Sequence, residues 1–412
     1  MLTMRILQII PSISLVYGGP SQMVLGLSAA LAAQGIDVTI ITTDSNGDIG
    51  QSPLDVTLNQ PIKQNGYQII YFRCSPFRRY KFSLSLLQWL NASARQFDIA
   101  HIHALFSPVT TLAATIARVH KLPYIMRPCG MLDPADLQKK KRLKQIYGTL
   151  FERPNLAGAA AIHFTSKQEA KISERFGLGS TNKMPVPRDF GSQDCTGKMP
   201  MPRDLIIPLG VTPGLFPKRL RESQVPIVLF MSRIEPKKGL DLLIPALESI
   251  LESGVDFQFI LAGSNPQDAD YETGIKVKIQ HSSLAKYTTI TGFVSGDRKN
   301  ELLTNADLFV LPSYYENFGI AVAEAMAAGV PVAISDRVHI SEDIRQAEAG
   351  WVGPLEVDAI ANSIKSALLD PQERQRRGLN AKEYAKKHYN WEAIAQQTID
   401  AYQHILSSIA KS

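Results

Sequence analysis

Cysteine is scarce in this chain. Cys74, Cys129 and Cys195 are spread over 412 residues with no Cys-x-x-Cys pair. That spacing argues against a disulfide framework and a structural zinc site, and it fits a reducing compartment. Long hydrophobic runs are missing as well: no stretch reaches the ~18 uninterrupted apolar residues that a membrane-spanning helix requires. Residues Met1 to Pro11 lack the basic leader and the apolar run of a secretory signal. Nor is the chain poor enough in apolar residues to stay disordered, being 45% hydrophobic, 8% aromatic and 20% charged. At ~100–200 residues per domain, the length predicts two domains, or three.

Charge is unevenly distributed. Residues 1–205 carry 23 Lys and Arg against 13 Asp and Glu; of the totals of 44 and 38, that leaves 21 against 25 for residues 206–412. The first half therefore faces an anionic partner more readily than the second. Its densest cluster runs from Lys139 to Tyr147 and on to Leu150-Phe151. Leu143, Ile146, Tyr147 and Leu150 recur at helical spacing, which predicts a basic amphipathic helix. Such a helix either packs its stripe on the core or docks on an anionic membrane or phosphate-bearing acceptor. No nucleic-acid-binding motif accompanies it.

Short apolar strands alternate with helical patterns twice over. In the first half, strands are expected at Arg5–Ile10, Val38–Thr42, Ile69–Phe72, Ile99–Ile102, Tyr124–Met126 and Ala160–Phe164, with one helix across 135–153. In the second they are expected at Ile227–Met231, Phe257–Ala262, Thr288–Thr291, Leu308–Leu311 and Val332–Ser335. This rhythm implies two α/β domains, each a doubly wound parallel sheet covered on both faces, with ligands beyond the carboxyl ends of the strands. Between the halves, residues 177–204 have no apolar period, and Lys183-Met-Pro-Val-Pro-Arg-Asp189 nearly recurs as Lys198-Met-Pro-Met-Pro-Arg-Asp204. Such proline density predicts a flexible surface insertion. Trp391–Ile409 reads as a final amphipathic helix.

Four segments carry chemistry. Tyr17-Gly18-Gly19-Pro20-Ser21 follows the first strand and opens a helix, so its backbone can approach an anionic ligand. Ser232-Arg233-Ile234-Glu235-Pro236-Lys237-Lys238-Gly239 sets an Arg and a Lys where both can converge on one diphosphate. Pro312–Ala327 holds Glu316 in a loop and Glu324 inside a helix meant for burial, where a carboxylate needs a partner. Asp98-Ile-Ala-His101-Ile-His103 and Pro123-Tyr-Ile-Met-Arg127-Pro-Cys129-Gly-Met-Leu-Asp133-Pro134 are strand ends opening on one rim. His101 and His103 share a strand face, but no third metal ligand is evident.

With Ile207-Pro-Leu-Gly210-Val211, Gly292-Phe293 and Ala328-Gly-Val-Pro-Val332, these segments make the chain resemble the family 4 retaining glycosyltransferases. The resemblance runs through almost the whole length, and the Glu316–Glu324 block is its most specific part. It implies the GT-B fold, two Rossmann-like domains facing a central cleft. Residues 1–205 would form the acceptor-side domain and 206–385 the nucleotide-sugar domain, with 386–412 a helix packing back toward the first. By the same resemblance Arg233 and Lys238 hold the donor diphosphate with the amides of Gly319 and Ile320, and Glu316 holds a sugar hydroxyl. Glu324 would bind the ribose, Asn317 and Phe318 belong to the same donor-binding segment, and Gly292-Phe293 border the base. Gly18 and Gly19 would close over the diphosphate, and His103, Arg127, Cys129 and Asp133 lie on the acceptor or sugar side. Cys129 departs from the His of many relatives, and Ser232 from their Gly.

The implied reaction moves a sugar from a nucleotide to a hydroxyl acceptor, free or lipid-linked, in the making of a cell-envelope glycan. No cofactor and no metal are expected, and the implied location is the cytoplasm, at the inner face of the membrane. Uridine diphosphate sugars lead as donors, with guanosine diphosphate mannose the rival. A phosphorylase or nucleotide-sugar epimerase on the same architecture, or a non-catalytic nucleotide-sugar binder, stay open as alternatives.

Overall fold

A computed structural model of the chain describes residues 3–47, 51–77, 80–138, 141–173, 204–212 and 225–410. Lys139, Lys140, Cys195 and the Pro-rich repeat up to residue 203 fall outside them. The chain divides into two units, Met1–Gly210 with Trp391–Ser412, and Val211–Asn390.

The first unit is built on eight strands: β1 Arg5–Ile9, β2 Asp37–Thr43, β3 Pro61–Gln64, β4 Tyr67–Phe72, β5 Ile99–His103, β6 Tyr124–Arg127, β7 Ala161–Phe164 and β8 Asp204–Ile206. They run in the order β3-β4-β2-β1-β5-β6-β7-β8, parallel throughout except at β3. The central strands are buried on both faces, as a covered parallel sheet requires. β3 escapes that reading because it is an exposed edge strand. It is held to β4 by a two-residue turn, Asn65-Gly66, with φ of 46° and 84°. That is the left-handed pair a tight hairpin requires. β8 starts at Asp204, the last residue of the stretch expected to be an insertion.

The helix expected over 135–153 is broken. Helix Pro134–Gln138 comes first, and one wide π-turn at Gly148–Glu152 then separates Lys141–Tyr147 from Arg153–Gly158. The extra residue in that turn changes the phase of the helix. Glu152 is thereby turned inward, where it accepts hydrogen bonds from the Phe106 amide at 2.7 Å and the Thr111 hydroxyl at 2.8 Å. The helix Trp391–Ile409 belongs to this unit. The Trp391 ring lies where only glycine fits, since a Cβ on Gly26 or Gly210 would come within 2.2 or 2.3 Å of it.

The second unit has six parallel strands: β9 Ile227–Met231, β10 Gln258–Ala262, β11 Thr288–Gly292, β12 Leu308–Leu311, β13 Val332–Ser335 and β14 Gly350–Gly353. Their order is β11-β10-β9-β12-β13-β14. The sequence reading missed β14 and the helix Pro371–His388 after it. That helix buries only small residues, Gly378, Ala381 and Ala385, so it has no large apolar stripe to betray it. A Cβ at Gly378 would meet the Gly329 carbonyl at 2.5 Å, which explains the small contact face.

Candidate active site

β9 lies between β10 and β12, so the chain leaves it toward opposite edges of the sheet. A crevice opens beyond the strand ends at such a reversal. Two loops border it, residues 232–239 after β9 and 312–319 after β12. Gly239 has φ 73°, and a Cβ there would stand 1.9 Å from the Pro312 carbonyl oxygen, so the loop backbones touch. The Tyr314 amide donates to the Lys237 carbonyl at 2.8 Å, and the Tyr314 hydroxyl donates to Asp241 at 2.7 Å. The far side of the second loop is pinned to the segment after β13, where the Glu316 amide donates to the Arg337 carbonyl at 3.2 Å.

This contact brings the two most informative sequence segments together. Lys238, almost fully buried, donates its ammonium to the Glu316 carboxylate. The Lys237 ammonium sits 5.2 Å from the centre of the Tyr315 ring and 3.4 Å from Glu235, which Arg233 also meets at 3.1 Å. Burial works against an ionised Glu316, but the charges of Lys238, Lys237 and Arg233 outweigh it and hold the carboxyl at about 2. Burial in turn draws the Lys238 ammonium below its ordinary value, with Glu316 opposing. The pair is ionised at neutral pH. Asn317 is half-buried in the same loop, and Phe318 is buried edge-on to Tyr389 at 5.2 Å.

Gly319, at φ 82°, caps the helix Ile320–Ala327, and the first amides of a helix lack intrahelical partners. Those of Gly319 and Ile320 follow directly on the loop that holds Glu316. Glu324, inside that helix, meets the partner its burial demands: the Lys299 ammonium lies 2.5 Å away. Lys299 escaped the sequence reading because Gly296–Asn305 looks like any solvated helix. Gly292 ends β11, two strands from β9, and the Phe293 side chain beyond it is 65% exposed.

In the first unit the Gly18-Gly19 turn opens the 15-residue helix Gly19–Ala33, and Gly18 has φ 70°. His103 and Arg127 end β5 and β6, but both side chains are buried in a polar core. His101 and His103 stack with ring centres 4.5 Å apart. His103 contacts Gln8 at 2.6 Å, and His101 contacts the Tyr402 hydroxyl at 2.8 Å. His163 lies 3.2 Å from His101 and reaches the Ile207 carbonyl at 2.8 Å. Burial, with the Arg127 charge beside them, holds all three imidazoles well below the usual histidine range. Arg127 donates to the Met23 sulfur at 2.7 Å, while its Nε and Nη2 atoms meet no acceptor among the described residues. No group of three or more His, Cys, Asp or Glu among those residues is arranged to hold a metal ion.

The rim itself is strained. Ala104, Phe106 and Cys129 have φ of 76°, 54° and 54°, values that non-glycine residues adopt at a cost and that cluster at functional sites. Burial, reinforced by Glu169, pushes the Cys129 thiol up to about 11, despite Arg127. A thiol held there stays protonated at neutral pH. Asp133 caps the helix Pro134–Gln138 by accepting from the Ala135 amide at 2.8 Å.

Two family models cover most of the chain. One described as "Glycosyl transferase 4-like domain" matches residues 18–188, and "Glycosyl transferases group 1" matches residues 213–384. The chain belongs to the family 4 glycosyltransferases. Over 183 residues it is 35% identical to an uncharacterised glycosyltransferase of Methanocaldococcus jannaschii, covering 43% of this chain and 44% of that one. It is 30% identical over 186 residues to a phosphatidyl-myo-inositol mannosyltransferase of Mycobacterium leprae, covering 45% and 48%. The match thus spans about half the length of these relatives. Among solved structures, a sucrose-phosphate synthase from Thermosynechococcus elongatus superposes with TM-score 0.73 at 21% identity, covering 98% of this chain and all of that one. Anabaena HepE, in complex with UDP and glucose, gives 0.73 at 18% identity over 97% and 100%. These likenesses establish the GT-B fold, two parallel-sheet α/β domains.

Proposed function

We propose that this chain is a metal-independent retaining glycosyltransferase that moves a sugar from a nucleoside diphosphate to a hydroxyl acceptor. The observation that carries the reading is the junction of loops 232–239 and 312–319 at the topological switch point, with Lys238 joined to Glu316. A nucleoside diphosphate leaves readily once the charge growing on it is balanced. In this reading Arg233, Lys238 and the amides of Gly319 and Ile320 balance it, a preorganised electrostatic stabilisation. With those groups present the scheme calls for no metal.

Glu316, held ionised by its cations, accepts a hydrogen bond from a donor-sugar hydroxyl. Glu324, oriented by Lys299, accepts from the ribose, and the exposed Phe293 ring offers a face to the base. The acceptor hydroxyl attacks from the face the diphosphate leaves, and the departing phosphate oxygen takes its proton. This differs from glycoside hydrolysis, where two carboxylates flank the bond. The Gly18-Gly19 turn and the rim residues Cys129 and Asp133, backed by His103 and Arg127, belong to the unit assigned to the acceptor. A uridine diphosphate sugar as donor is supported by the UDP-glucose that HepE binds. Acceptors of the glycolipid or envelope-glycan type are supported by the phosphatidylinositol mannosyltransferases among the relatives.

The test is a thermal-shift series with uridine, guanosine and adenosine diphosphates, followed by transfer or hydrolysis of the matching nucleotide sugars. One diphosphate at 100 times its dissociation constant is expected to add about 2.7 kcal/mol of stability. Arg233→Ala and Glu324→Ala are expected to bind it weakly. Binding equal to the parent's in both variants would overturn the reading.

A further inference from the structure

We propose that the segment Lys141–Arg153 docks the protein on the surface of an anionic lipid bilayer. The proposal stands on the first unit alone and does not depend on the donor-side reading. Leu143 and Ile146 are each 61% exposed, Leu150 60% and Phe151 48%, so four large apolar side chains crowd the outside of one short stretch. The stripe that its spacing could have sent to the core faces out instead. Tyr147 anchors the inner side, its hydroxyl donating to Thr111 at 2.8 Å.

Charge selects the occupant. The stretch carries Lys141, Arg142, Lys144 and Arg153 against one acid, Glu152. Glu152 is buried and spent on Phe106 and Thr111. Lys144 is tied to Asp136 at 2.7 Å, whereas Lys141 and Arg142 are exposed beside the apolar side chains. Apolar side chains that enter the boundary between headgroups and acyl chains, flanked by cations at the depth of the lipid phosphates, form an interfacial anchor. The anchor spans nothing: no helix among the described residues is long and apolar enough to cross a membrane.

The full chain is sedimented with vesicles of phosphatidylcholine and with vesicles that also contain phosphatidylglycerol. Binding to the second kind only is expected. Lys141→Gln with Arg142→Gln should lower the partition coefficient roughly 30-fold, at about fivefold per cation. Leu143→Ser with Ile146→Ser and Leu150→Ser should abolish binding. Both variants should keep the parent's melting temperature, since every altered side chain is exposed. Absence of binding by the parent, or equal binding by either variant, overturns the proposal. So does a dimer in analytical ultracentrifugation that the serine variant dissolves, which would assign the face to a second copy of this chain.

Discussion

The Lys299 ammonium lies 2.5 Å from a carboxylate oxygen of Glu324, joining the helices Gly296–Asn305 and Ile320–Ala327. Lys299 is a positioning residue: it sets the direction of a carboxylate proposed to read ribose. Lys299→Met should weaken binding of a nucleoside diphosphate about tenfold, the scale of one oriented hydrogen bond to a charged group. The 2′-deoxy form, with less to lose, should be weakened less. Isothermal titration of both ligands checks this, and equal loss for the two would refute the positioning role.

Removing Lys238 leaves Glu316 largely buried with its closest partner gone. Breaking a buried pair from one side costs about 3–5 kcal/mol, so Lys238→Ala should melt well below the parent. Adding Glu316→Gln in that background should recover part of the loss. Scanning calorimetry of the three proteins decides, and a single variant that melts with the parent would show the pair to be idle.

The same pair sets an acid limit. Glu316 is held at about 2, below its ordinary 4.5, so the folded state binds its proton less readily than the unfolded one. Its contribution is fully present above pH 4.5 and is lost as pH falls toward 2. The His101, His103 and His163 cluster acts at higher pH. All three are depressed, so below pH 6.5 the unfolded chain takes up protons that the folded one resists. Stability should fall by up to about 4 kcal/mol per pH unit there, ~1.4 for each imidazole. Urea unfolding at pH 7.5, 6.5 and 5.5 measures the slope, and a flat profile contradicts the buried cluster.

Cys129 should resist alkylation. With its thiol at about 11, iodoacetamide at pH 8 should leave Cys129 unmodified in the folded protein and label it after unfolding, as read by peptide mass spectrometry. Rapid labelling of the native protein would show a thiolate that the structure does not provide.

Much of the junction between loops 232–239 and 312–319 was legible because its residues are local in sequence. Arg233 and Lys238 share one turn, and Glu316 and Glu324 share one loop and helix, so spacing alone placed them. That the two segments would meet followed from strand alternation, which fixes both at carboxyl ends of a parallel sheet. Lys299 was hidden because its partner is 25 residues away and its helix is otherwise ordinary. The imidazole cluster was hidden for a like reason: His101 and His103 alternate on a strand, but Tyr402, which completes the network, is 301 residues from His101. The π-turn at Gly148 left only Glu152 as a clue, an acid in a stripe where its burial could not be foreseen. The Asn65-Gly66 hairpin was there to be read, and its edge strand, Pro61–Gln64, was too short and too polar to announce itself.

The Val211 amide donates to the Tyr389 carbonyl at 2.7 Å, and Val211 pairs with Asn390. The first and last residues of the second unit are therefore neighbours, as in a cassette spliced into a host. Recombination at two adjacent points would exchange residues 211–390 whole, carrying Arg233, Lys238, Glu316, Glu324 and Lys299 together. What remains would keep both chain ends and the polar histidine core. A lineage with this topology can exchange its second unit whole while conserving the first.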